Sequence, residues 1–466
     1  MWAILELVFF AIDMAITALL LKSRRSSVRK LLIWIIAFIA APIVGFGAYI
    51  MVGPPLFRRR PTTHRGEDTE RLRSLAKTDT ERSDMYSIAG CLDSAGALRY
   101  SDDSSVRYIG SGYDYYKSMF TDILEAKRSV DIECYIIRRD RSSEEFVKLL
   151  CKRADAGISV RIMFDDYGYD GKDLKPIREL EKHGCKCILF HNMNRLIFSP
   201  LKNYRNHRKT FVIDGRIGYM GGYNIGDEYL GFGEFGRWRD AAVRIEGPQA
   251  VQLQRMFADD WAYASKEDIS GDEELFPHVE KVGDMPMQVI PGDPVVPEMN
   301  AVLAQFVSLS RASRKTLYIE TPYLVPPKIA LYSLSMCAAS GTDVRIIIPD
   351  KPDHPCVYWA NRHYANILMC NGARIYEYHG GFMHAKIMVG DTKYCSVGSA
   401  NYDQRSTRLN FECNIMMYSK EMGKVLEDEF MKDLEASTEY TREMYEGRTR
   451  NERIKTAMSL LNYDQL

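Results

Sequence analysis

The chain has 466 residues, in which 62 Lys and Arg are balanced by 62 Asp and Glu. Hydrophobic residues make up 46% and charged residues 27%, which excludes a disordered or collagen-like chain and leaves room for two or three domains with real cores. Zero net charge argues against a protein that coats nucleic acid, since that needs a strong basic excess.

The chain opens on apolar sequence. Residues 1–21 carry only Glu6 and Asp13 as charges, and residues 31–53 carry none. The second run is long enough to cross a bilayer, which takes about 20 residues. Basic residues follow the first run instead of preceding it, so a retained membrane hairpin of two helices over residues 1–56 is expected in place of a cleaved secretory signal. Glu6 and Asp13 stand seven apart on one helical face, which suits a partner helix or an interfacial position. Lys22, Arg24, Arg25, Arg29 and Lys30 fill the connector, while Arg58, Arg59, Arg60 and Arg65 follow the second run. Positive charge on both flanks leaves the hairpin unoriented. The ten cysteines show no framework spacing, and Cys185 and Cys187 point to opposite faces of a strand. They read as buried, reduced thiols in a cytoplasmic body.

Residues 57–104 are polar and read as a linker. Strands and helices then alternate, with strands at 130–137, 159–164 and 185–190 and helices at 143–156 and 173–183. The order returns in strands at 316–320, 344–348 and 373–378 and helices at 328–340 and 357–370. Val160-Arg161-Ile162 and Val344-Arg345-Ile346 repeat 184 residues apart. The pattern predicts an α/β protein of two pseudo-symmetric lobes, 105–270 and 271–440, joined near 267–297 and followed by a charged tail, 441–466. Each lobe is expected to hold a mixed, mostly parallel sheet flanked by helices.

Both lobes end on one pattern. In the first it is His207, Lys209, Asp214, Gly221 and Asn224; in the second it is His384, Lys386, Asp391, Gly398 and Asn401, each member 177 residues later. A single HxKxxxxD is a weak signal, but two in register are a strong one. His and Lys two apart on a strand project from one face and can address the same anion. Two lobes meeting face to face would gather two His, two Lys and two Asn around a phosphodiester and the charge that develops in its transition state. Two histidines suit a double displacement, one attacking phosphorus to leave a phosphohistidine and the other moving the alcohol's proton. Each ring also needs a carboxylate behind it, and Glu412 and Asp240 are the candidates. Asp214 and Asp391 either join the chemistry or hold a turn beside Gly215 and Gly390, and Asn224 and Asn401 either contact phosphate or cap a helix. No metal and no cofactor is required. The other histidines (His64, His183, His191, His278, His354, His363 and His379) read as surface or core residues.

These motifs resemble the phospholipase D superfamily, and more closely bacterial cardiolipin synthases. The likeness is carried by 203–209 (NYRNHRK), 221–231 (GGYNIGDEYLG), 237–248 (RWRDAAVRIEGP), 321–326 (TPYLVP), 350–360 (DKPDHPCVYWA) and 398–411 (GSANYDQRSTRLNF). The resemblance implies membrane phospholipids as partners. One phosphatidylglycerol would pass its phosphatidyl group to another, so that cardiolipin forms and glycerol leaves. It also implies His207 as the nucleophile, an N-terminal membrane anchor and a catalytic body on the cytoplasmic side. Apolar residues ahead of each motif (Leu196, Ile197, Phe198 and Leu201; Phe382 and Met383) are placed to admit acyl chains. Tyr223, Cys356 and the charged tail depart from the family pattern. The same site used with water or another alcohol would make a phospholipase D or a related transferase, and without turnover a lipid-binding scaffold.

Overall fold

Short apolar runs bounded by glycine and aspartate turns form one sixteen-stranded sheet in the computed structural model, which describes residues 2–23, 28–52, 66–168, 175–191, 203–294 and 300–461. From one edge inward, the first half runs through Lys186–Phe190, Ser159–Asp165, Ser129–Cys134, Thr210–Ile213, Ile217–Gly221, Ala242–Glu246 and Ser101–Ile109. The second half continues through Met285–Gly292, Asn410–Met417, Tyr394–Gly398, Ile387–Gly390, Thr316–Glu320, Asp343–Pro349 and Arg374–Tyr378, and Ser437–Tyr440 forms its edge. The halves mirror each other about the antiparallel pair Ser101–Ile109 and Met285–Gly292. This central strand Met285–Gly292 falls within the stretch expected to be the seam.

The sheet is mixed, but it is not mostly parallel. Only three strands of each half run parallel, the outermost three in the first half and the three inside the edge strand Ser437–Tyr440 in the second, joined by crossover helices such as Arg141–Asp155 and Lys328–Ala339. Every other neighbouring pair along the sheet is antiparallel. The reason lies in the repeated motif. Its Asp sits in a tight turn, so Thr210–Ile213 folds straight back on Ile217–Gly221, and Ile387–Gly390 on Tyr394–Gly398.

The expected linker is largely folded. Thr69–Thr78 and Ser83–Ser94 are helices, and Leu72, Met85, Ile88, Ala89 and Leu92 join Ile290, Leu309 and Met416 in the core of the second half. The spacing 85, 88, 89, 92 is a helical stripe that the polar average of the segment conceals. The tail, within the described residues, is folded as well. Helices Arg442–Glu446 and Arg450–Leu460 lie against Pro355–Met369, with the Lys455 ammonium 5.4 Å from the Trp359 ring centre.

At the N-terminus the apolar runs form Trp2–Ser23, Val28–Ala40 and Pro42–Val52, with Ile16, Phe38 and Tyr49 clustered between them. The second run is therefore not one continuous helix. Pro42 has no N–H to extend the ladder and disfavours helical backbone at Ala41, so the run divides into pieces of 13 and 11 residues. Among the described residues, no helix is long and apolar enough to cross a membrane. The side chains of the basic residues in the connector, and Arg58, Arg59, Arg60 and Arg65, lie outside the described residues.

Candidate active site

The two motifs meet where each lobe borrows backbone from the other. Arg205–Asn206, ahead of the first histidine, pairs in parallel with Asn410–Phe411, and Phe382–Met383, ahead of the second, pairs with Trp238–Arg239. The His207 N–H donates to the Phe411 carbonyl at 2.9 Å, and the His384 N–H to the Arg239 carbonyl at 2.8 Å. Three residues later the chain rejoins its own sheet at Thr210 and Ile387. His and Lys thus occupy an extended hinge between two strand pairings, where a single continuous strand had been expected.

The borrowed segments carry the carboxylates. Glu412 faces His207, its Oε1 and Oε2 lying 2.9 and 3.0 Å from Nδ1, and Asp240 Oδ2 lies 2.5 Å from Nδ1 of His384. Each imidazole is therefore held by a carboxylate of the opposite lobe, leaving its Nε2 for chemistry. Glu412 is itself fixed by the Ser399 hydroxyl at 2.5 Å and the Asn410 amide at 3.1 Å. Asp240 accepts the Ala241 N–H at 2.8 Å. Ser399 occupies the position matching Gly222, where an added Cβ would lie 2.0 Å from Asp240 Oδ1. The shorter carboxylate in one lobe thus leaves no room for the supporting hydroxyl found in the other.

Both lysines are almost fully buried, and each ammonium donates to the carbonyl of its own motif's histidine, at 2.7 Å for Lys209. Burial, opposed by Glu412 and aided by the Lys386 charge, lowers Lys209 to about 7. Lys386 is lowered by burial as well, against Asp240 and Glu412. Burial likewise lowers His207 to about 4 against the pull of Glu412, and burial with the Lys386 charge lowers His384 to about 3 against Asp240. The other lobe's lysine acts on each histidine, so the four groups share one electrostatic centre. Both rings are neutral at pH 7 in the free site.

Aromatic rings wall the centre. The Tyr135 ring centre lies 4.7 Å from His207 and 5.1 Å from the Lys209 ammonium, while Trp238 and Tyr229 stand 5.0 and 6.0 Å from His384. Phe382 and Met383 are fully buried, and Phe382 packs on Trp238, so these two close the wall behind His384 and do not stand open to an acyl chain. Leu196, Ile197, Phe198 and Leu201 lie outside the described residues.

Asp214 and Asp391 are not brought to the centre. Each lies at the far end of its strand, about 16 Å of extended chain beyond its lysine. Asp214 accepts the N–H groups of Lys127, Arg128 and Ser129 at 2.7–3.0 Å, and Asp391 those of Arg314, Lys315 and Thr316 at 2.7–3.1 Å. Both adopt left-handed backbone, with φ of +53° and +51°. Asn224 is fully engaged, accepting the Ile136 N–H and donating to the Tyr229 hydroxyl, so it braces the wall. Asn401 is buried, its Oδ1 makes no hydrogen bond within the protein, and its N–H donates to Ser406. Tyr223, the departure noted above, stacks on Tyr115 and donates to the Asp240 carbonyl at 2.7 Å. Ser399 was missed in the sequence, although laying the lobes over each other at 177 residues points to it. The rings at 135, 229 and 238 carry no such signal.

A mixed sheet doubled about a pseudo-dyad, with two His/Lys pairs and crossed carboxylates at its centre, defines the phospholipase D class. Comparisons agree. The family model described as "Cardiolipin synthase, PLD-like domain" matches residues 119–261 and 307–434. A cardiolipin synthase of Oceanobacillus iheyensis is 33% identical over 97% of both chains, and one of Staphylococcus aureus is 32% identical over 97% of this chain and 94% of its own. Among solved structures, a phosphatidylserine synthase of Haemophilus influenzae shares the fold, with a TM-score of 0.61 at 13% identity over 78% of this chain and 95% of its own. The chain belongs to the cardiolipin synthase family.

Proposed function

We propose that the chain transfers a phosphatidyl group from one phosphatidylglycerol to the free hydroxyl of another. The observation that carries the reading is the pair of imidazoles, each backed at Nδ1 by the opposite lobe's carboxylate and flanked by a buried lysine. His207 Nε2 attacks phosphorus, the bond to the glycerol oxygen breaks, and His384 protonates that oxygen. The second phosphatidylglycerol then gives its hydroxyl proton to His384 as its oxygen displaces His207 from phosphorus. Cardiolipin leaves, and the net change is two phosphatidylglycerols to one cardiolipin and one glycerol. The exchange of one phosphodiester for another is close to even in energy, so no nucleotide is consumed. An arriving phosphodiester anion raises the imidazole facing it, so substrate supplies the charge state that the proton donor needs. Lys209 and Lys386 hold the phosphoryl oxygens, with Asn401 beside them. Asp214 and Asp391 support the site from the far ends of the strands that follow the two His/Lys pairs.

The apolar N-terminal segment (1–56) holds this body at the cytoplasmic face of a membrane where both lipids are concentrated. Purified chain in phosphatidylglycerol vesicles tests the whole reading. Equal amounts of cardiolipin and free glycerol are expected, with an acid-labile, alkali-stable phosphorus label on the protein that is absent from His207→Ala. Phosphatidic acid as the main product would make the acceptor water, and lipid binding without turnover by the wild-type chain would leave a scaffold.

A further inference from the structure

Two buried arginines lie behind the carboxylates, and they reach equivalent places from non-equivalent positions. The Arg208 Nε donates to the Glu412 carbonyl at 2.9 Å and Nη2 to the Gly292 carbonyl at 3.2 Å, while its guanidinium pairs with Asp260 on helix Pro248–Ser265. The Arg239 Nη1 donates to the Asp240 carbonyl at 2.6 Å and Nη2 to the Tyr108 hydroxyl at 3.2 Å, while Nε pairs with Asp433 on helix Lys420–Glu435 at 2.6 Å. The helices are counterparts, each following the strand that carries or adjoins a carboxylate in its lobe.

The arginines are not counterparts. Position 208 matches Ala385 at the 177-residue offset of the motifs. The sheet registers Gly221 with Ala242 and Gly398 with Asn414, which matches position 239 to Phe411. The Phe411 ring lies 5.6 Å from the Arg208 guanidinium. One lobe boundary therefore uses Arg208 with Phe411, and the other uses Arg239 with Ala385. A guanidinium occurs at both places although the chain supplies it from the motif on one side and from the carboxylate segment on the other. Packing alone would not require the same pair of bonds, one to a helix aspartate and one to the carbonyl of a carboxylate residue, to be built twice by different routes.

We propose that Arg208 and Arg239 are positioning residues, each fixing the backbone of the carboxylate that orients a histidine and tying it to the closing helix of a lobe. The effect on chemistry is indirect. A carboxylate free to shift holds Nδ1 less well, the imidazolium is less stabilised, and the ring's affinity for a proton falls. Arg208 carries the larger share on its side, because the Asp240 carbonyl is also held by the Tyr223 hydroxyl.

Arg208→Lys and Arg239→Lys test this, since an ammonium can face the aspartate but cannot also span to the carbonyl. Turnover of phosphatidylglycerol is expected to fall about tenfold or more for Arg208→Lys and less for Arg239→Lys, with KM within threefold. The acid limb of kcat should move to lower pH for Arg208→Lys, which acts on the nucleophile's ring, and the alkaline limb to lower pH for Arg239→Lys, which acts on the proton donor's ring. The neutral pairs Arg208→Met with Asp260→Asn and Arg239→Met with Asp433→Asn give the same readout should a lysine variant fail to fold. The buried pair Arg161–Asp131, which bonds to neither carboxylate segment, is the control. Arg161→Met with Asp131→Asn should lower the melting temperature with no shift of either limb. Unchanged kcat and limbs in folded Arg208 and Arg239 variants, or the same shifts in the control, overturns the proposal. The inference uses the transfer reading only for its assay. Wild-type protein that makes no cardiolipin defeats that reading alone, because the same ratios can be taken on any phosphodiester it turns over.

Discussion

Glu412 and Asp240 set the tautomer of the two imidazoles, because a carboxylate on Nδ1 requires the proton there and leaves the Nε2 lone pair outward. An amide in the same place can instead donate to Nδ1 and put the proton on Nε2. Glu412→Gln and Asp240→Asn should therefore each lose about 10³-fold or more in kcat while still binding lipid. Rapid-quench labelling should show Glu412→Gln failing to form the phosphoenzyme, whereas Asp240→Asn forms it slowly. Lys209 adds a pH dependence whose sign follows from its lowered pKa of about 7. Above that pH the free enzyme loses an ammonium needed for the phosphate, so kcat/KM should fall from about pH 7 upward. On the acid side, the nucleophile His207, lowered to about 4, stays neutral to well below pH 6, so little is lost there. Lys209→Arg cannot lose its charge in this range, and although slower it should show no alkaline limb near pH 7.

At the scale of elements, the repeated spacing inside each motif now divides into two tasks. His and Lys lie on a hinge that changes sheet partner, while the Asp four residues after Thr210 or Ile387 gathers three backbone N–H groups at the start of a neighbouring strand. Asp214→Ala should thus cost about 2–3 kcal/mol of stability, from charged hydrogen bonds lost at a left-handed residue, with kcat in the folded protein changed less than twofold. Thermal unfolding and kinetics on the same sample check this. The sequence could display the repeat, and from it the His/Lys pairs, because covalent spacing is linear information, whereas both carboxylates followed from the need for a partner behind each ring. It could not display the task of Asp214, since Lys127 and Ser129 lie 85 or more residues earlier and only the sheet register brings them together. The parallel-sheet expectation failed for a related reason. Alternating strands and helices report the outer crossovers, whereas the inner hairpins follow from turns whose partners the pattern does not reveal.

For the whole molecule, chain order and spatial order part company. Helices Thr69–Thr78 and Ser83–Ser94 precede the first lobe in sequence yet are built into the second. The Gln288 amide, on the central strand, donates to the carbonyls of Ala89 and Leu98, and the Tyr418 hydroxyl donates back to Gln288 at 2.7 Å. The chain is therefore built into the second half before it starts the first, and this strap spans the pseudo-dyad on which the site depends. Leu92, fully buried in that core, is the place to test it. Leu92→Ala removes three side-chain carbons from a packed cluster and should cost about 2–5 kcal/mol. If the helices belong energetically to the second half, hydrogen exchange should quicken first in Met285–Gly292 and Ala301–Ala312, while Ser129–Cys134 keeps its protection until global unfolding. Equal loss in both halves would instead mean that the crossed carboxylates bind the lobes into one cooperative unit. In that case Glu412→Gln should lower the protection of Ser129–Cys134 and Thr316–Glu320 together, a coupling that hydrogen exchange on that variant measures directly.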